Sequence, residues 1–142
     1  MGAYSERFQA VMDHYLDELE KAGKNRKFGD GLFGFGRRPG DDPCHEAMDR
    51  QVAELAEELA ADEGVQPEET AAFVQAVFEA EGSRQWKEAA RWAVLAIQRH
   101  GIPLITRMSE EDRRRLGTWY ENTYPRRQRL PIQKQIVKEL QK

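Results

Sequence analysis

Residues 83–103, SRQWKEAARWAVLAIQRHGIP, decide the fold. Trp86, Ala89, Ala90, Trp92, Ala93, Val94, Ala96 and Ile97 recur at spacings that build an apolar helix. Ser83 stands where a hydroxyl can accept the first free backbone N–H. At the far end, Arg99 and His100 suit the negative pole of a helix, and Gly101 and Pro103 then stop it. No other stretch is as apolar, so the pattern predicts a central helix against which the rest of the chain packs.

Working outward, Tyr4, Phe8, Val11, Met12, Tyr15, Leu16 and Leu19 form a wide apolar stripe on a first helix, expected to stop at Gly23. Asp42 and Pro43 open a second helix as N-cap and first helical residue. On it Cys44, Met48, Val52, Leu55 and Leu59 share one side, and Gly64 ends it. Pro67-Glu68-Glu69 opens a third, carrying Phe73, Val74, Val77 and Phe78 toward Gly82. Ser109 and Asp112 approximate a capping box for a fifth helix bearing Leu116, Trp119 and Tyr120, closed by Pro125. Gly117 inside it marks either close packing or a break. A last helix from Pro131 presents Ile132, Ile136, Val137 and Leu140. No segment alternates with a period of two. The expected fold is all-α: a single domain over 1–142, a bundle of five or six short helices with one long Gly/Phe-rich loop at 23–41 and a basic C-terminal part at 107–142.

Composition agrees with a folded chain. Leu, Ile, Val and Phe supply only 28 of 142 residues, but the net charge is just −3, and sixteen alanines and three tryptophans add core volume. A domain of this size buries about 68–70% of its unfolded surface, enough to fold without disulfide or metal staples. The single cysteine excludes an internal disulfide scaffold and points to a reducing, cytoplasmic setting. No run approaches the roughly 20 apolar residues of a membrane span, and residues 1–6 carry no apolar signal core, so no membrane partner is expected. The charges are strongly segregated: +1 over residues 1–40, −12 over 41–81 and +8 over 82–142. Such a chain can neutralise itself on folding, meet a second copy, or offer a basic face to an acidic partner.

Three motifs bear on function. Gly29, Gly31 and Gly34 spell G-x-G-x-x-G, yet a helix precedes them and Arg37-Arg38-Pro39-Gly40 follows, so the strand–turn–helix context of a nucleotide site is missing. The same segment carries Phe28, Leu32, Phe33 and Phe35, rings too costly to leave in water. They either cover the chain's own core or, with Arg37 and Arg38 at the rim, dock a protein partner. The second motif brings Cys44 and His45 together in sequence with His14 and Asp49 as weak metal-ligand candidates. One Cys and three His are few for a zinc centre, and Cys44 continues an apolar stripe. The third sets Arg113, Arg114, Arg115, Arg126, Arg127 and Arg129 around Trp119, Tyr120 and Tyr124, a combination of phosphate pairing and base stacking that single-stranded nucleic acid uses. An isoelectric point near 5.7 weighs against a dedicated nucleic-acid domain.

The sequence reading is a non-catalytic helical interaction module with no cofactor, binding a protein partner or a second copy of itself through the Gly/Phe loop. Nucleic-acid binding by the six arginines is the alternative. A small hydrolase or redox protein centred on Cys44 and His45 is the third reading.

Overall fold

A computed structural model describes residues 3–25, 43–82 and 88–142. Across them run six α-helices: α1 Ala3–Asn25, α2 Pro43–Ala61, α3 Pro67–Gly82, α4 Glu88–Ile97, α5 Glu110–Thr123 and α6 Pro131–Leu140. A 3-10 segment, Gln98–Arg107, joins α4 to α5, and a short 3-10 turn, Arg126–Gln128, precedes α6. No strand occurs among the described residues, so the chain is all-α there. Phe28, Leu32, Phe33, Phe35, Arg37 and Arg38, the capping residues Asp42 and Ser83, and Trp86 lie outside them.

Helix ends follow the capping chemistry. Pro43, Pro67 and Pro131 each stand first in a helix, where the missing N–H removes no bond. Ser109 Oγ accepts from the Asp112 backbone N–H at 3.1 Å. The reciprocal half of that box is not formed, because Asp112 turns to Arg115 instead. α2 ends at Ala61, and a guanidinium N–H of Arg107 donates to the carbonyl of Leu59, one of its last-turn acceptors. α1 runs two residues past Gly23, within the cost of about 1 kcal/mol that a helix bears for one glycine.

The core is one cluster. α1 buries Tyr4, Phe8, Met12 and Tyr15 against α2 and α3, and the Phe8 and Phe73 rings meet edge to face at 5.9 Å. α3 sits at the centre, with Phe73, Val74, Val77 and Phe78 wholly buried. α4 contributes Ala90, Ala93, Val94 and Ile97, so it shares the core rather than forming its axis. Trp92 departs from the expected pattern: at 49% exposure it stands in water on the far side of α4.

The expected stop after Ile97 is a change of helix type rather than an exit into a loop. A proline ring inside an α-helix clashes with the carbonyl four residues back, so α-geometry cannot carry through Pro103. The buried residues Gln98, Gly101 and Leu104 repeat every three, the period of a 3-10 helix, and this face lies on α3. Gly101 suits the close approach there: a Cβ would come to 3.2 Å from the buried Phe78 ring, which would have to give by a few tenths of an ångström. Gly117 differs, since α5 is unbroken and a Cβ would meet Leu140 at an ordinary 3.6 Å.

These two glycines make opposite predictions. Gly101→Ala should lower unfolding free energy by about 1–3 kcal/mol through overpacking. Gly117→Ala should leave it unchanged or raise it by up to about 1 kcal/mol. Urea unfolding of both variants checks the pair, and equal destabilisation would contradict it.

Candidate functional site

Charge on an apolar face marks the site. Glu81 follows Val77 and Phe78 on the buried stripe of α3, at the helix's C-terminal end. A carboxylate held there needs donors. Gln98, wholly buried at the start of the 3-10 segment, donates its amide N–H to one oxygen at 2.9 Å. Gln133, buried in the first turn of α6, donates to the other at 2.9 Å. The Gln133 side-chain oxygen meanwhile accepts from the Leu130 backbone N–H at 2.8 Å, which caps α6. One carboxylate thereby ties together α3, the 3-10 segment and α6.

Two tyrosines from the end of α5 stand near it. Tyr120 is wholly buried, edge to face with Phe78 at 5.8 Å, and Tyr124 is half-buried, its ring 4.7 Å from that of Tyr120. Burial first, and then the Glu81 charge, pushes both phenols above their ordinary range. Three side-chain oxygens in this region, Gln98 Oε1, Tyr120 Oη and Tyr124 Oη, are buried with no hydrogen-bond partner among the described residues. Among the described residues no basic nitrogen forms an ion pair with Glu81.

Glu81 opens onto a pocket of about 380 Å³. Trp92, Leu95, Tyr124, Pro125 and Leu130 supply its apolar walls, Gln133 shares the floor, and Arg91 stands at the rim. The volume falls within the range of small-ligand sites. Sequence reading did not single out Glu81, although its stripe position was visible. Gln98 one turn after Val94, and Gln133 one turn before Ile136 and Val137, carried the same signal.

The arginines named from sequence do not form one surface. Arg114 pairs with Glu110 and Arg115 with Asp112, both within α5, and Arg115 also reaches the Gln75 side chain on α3. Arg129 donates to the backbone carbonyls of Tyr124 and Glu121, and Arg113 is half-buried. Of the six, only Arg126 and Arg127 are exposed with no ion pair to another described residue, and they lie in the chain between the pocket's Pro125 and Gln128. Tyr120 is unavailable for stacking, and Trp119 is half-buried, 5.9 Å from the Tyr120 ring.

The weak metal-ligand candidates separate as well. His14 and Cys44 line one groove of about 240 Å³ between α1 and α2. Asp49 is instead paired with Arg99 at 2.8 Å and His100 at 2.9 Å, and His45 is buried. Among the described residues no three His, Cys, Asp or Glu side chains come together as a metal site. No helix there is long and apolar enough to cross a membrane.

Alkaline titration of the phenols tests the burial of this site. A phenol raised in the folded state favours folding below the unfolded value of about 10 and loses that contribution as pH rises through its folded value. Tyr120 and Tyr124 should therefore stay protonated beyond the ordinary range until the chain unfolds, and Glu81→Gln should bring Tyr124 down. Ionisation of all four tyrosines together near pH 10 would contradict the assignment. No family model, curated protein or solved structure matches this chain.

Proposed function

We propose that the chain is a non-catalytic helical interaction module that pairs with a second copy of itself through the surface around Trp92. The exposed indole carries this reading. It is the one large hydrophobic side chain that the described residues leave in water, at 49% exposure, and it borders an apolar pocket. Tryptophan and arginine around an apolar centre are the composition of interface hot spots. Here Arg91, Glu79 and Glu81 all act electrostatically on Tyr124, and the exposed Arg126 and Arg127 lie in the chain between the lining residues Pro125 and Gln128. A surface bearing both signs can be complementary to its own copy across a two-fold axis. The segregation of charge between residues 41–81 and 82–142 supports the same choice of partner. Phe28, Leu32, Phe33, Phe35, Arg37 and Arg38 join the reading from sequence as a second docking element.

The nucleic-acid alternative keeps one specific support, the exposed Arg126 and Arg127. It predicts a gel shift with single-stranded DNA that weakens steeply with salt. No shift at low salt disposes of it.

Light scattering across a concentration series tests self-association. The expected mass rises from monomer to dimer, Trp92→Ser weakens the dimer by about tenfold or more, and a Phe33→Ser/Phe35→Ser double variant measures what the Gly/Phe segment adds. A monomer throughout the series would overturn the proposal.

A further inference from the structure

We infer that the Glu81 pocket is a binding site for an organic cation, a protonated amine or guanidinium carried on an apolar body. The cation would sit against Glu81, its body between Trp92, Leu95 and Leu130. Three observations lead there. Glu81 is partly buried, each oxygen accepts a neutral amide N–H, and no described basic group pairs with it. A carboxylate partly withdrawn from water, whose described partners are neutral amides, gains more from a cation than from a neutral ligand. Second, Tyr124 Oη, on a residue lining the pocket, is buried with no hydrogen-bond partner among the described residues, and its lone pairs can accept an N–H from a ligand. Third, Trp92 and Tyr124 line the pocket, and aromatic surface attracts cations.

Charges around the pocket restrict the ligand further. Arg91, which lines the pocket, is positive and exposed, and the exposed Arg126 and Arg127 lie in the chain between the lining residues Pro125 and Gln128. A chain with several positive charges meets repulsion on entry, so a single cation at the inner end of the ligand fits best. Two sources share that chemistry: a free small amine, or a guanidinium from a second copy of this chain. The inference does not depend on self-association, because a monomer would hold the same pocket.

The test uses phenethylammonium and its neutral counterpart, 2-phenylethanol, followed by NMR through the Trp92 indole N–H, which is identified by its loss in Trp92→Phe. Phenethylammonium should bind about tenfold or more tightly than the alcohol, a ratio that cation–π and charge pairing together supply. Glu81→Gln, checked for its fold by circular dichroism, should reduce the amine to the affinity of the alcohol. Because that substitution also disturbs the two glutamine bonds, the amine-to-alcohol ratio in the unaltered protein stands as an independent measure. A light-scattering arm separates the sources. If saturating amine lowers the mass of a dimer, the second copy supplies the cation; binding with unchanged mass assigns a free amine. Equal binding of amine and alcohol, no response to either, or undiminished binding in Glu81→Gln would overturn the inference. Amine binding by a protein that stays monomeric would leave it standing and reject self-association.

Discussion

A single carboxylate at the end of α3 holds this fold's C-terminal half in register. Without Glu81, the 3-10 segment would meet α3, and α6 would meet the 3-10 segment, chiefly through apolar side chains such as Leu104, Ile105 and Ile136, and hydrophobic contact has no direction. The two glutamine bonds supply direction, since each amide must meet one particular oxygen. Gln133 then passes the constraint into the backbone by capping α6 at Leu130. The apolar core provides most of the stabilisation. The polar clamp selects one arrangement of it, because a buried carboxylate or amide that lost its partner would cost about 1–3 kcal/mol or more.

The same constraint shapes the surface. Fixing α6 and the end of α5 against α3 opens the pocket whose walls are Trp92, Tyr124 and Leu130. Packing of α4 explains why Trp92 is exposed: Ala90, Ala93, Val94 and Ile97 take the inner face, which leaves residue 92 to point away from it. Exposed apolar surface beside a carboxylate held by two neutral amides is the combination from which both functional readings grow. Self-association uses the indole, and cation binding uses the carboxylate.

Much of the fold was legible because it rests on local chemistry. Apolar stripes such as Phe8/Met12/Tyr15 and Met48/Val52/Leu59, and the prolines that open α2, α3 and α6, announce themselves in sequence. The 3-10 segment was harder to read. Its stop signals at Gly101 and Pro103 end an α-helix correctly, but the three-residue repeat Gln98/Gly101/Leu104 becomes meaningful only with Phe78 pressed against it. The site was missed for a similar reason. Glu81, Gln98 and Gln133 lie 17 and 52 residues apart as bonded pairs, and no spacing rule joins them. Each does interrupt an apolar stripe with a polar group, which was the available signal. Conspicuous clusters such as Arg113–Arg115 drew attention first, and two of those three arginines are engaged within their own helix.

The most direct measurement is a double-mutant cycle on the clamp, using Gln98→Leu, Gln133→Leu and the double variant, each unfolded in urea. Because both amides serve one carboxylate, the account predicts a coupling of about 0.5–3 kcal/mol between them. Additivity within about 0.3–0.5 kcal/mol would mean that the two bonds act separately, and that Glu81 does not organise this half of the molecule.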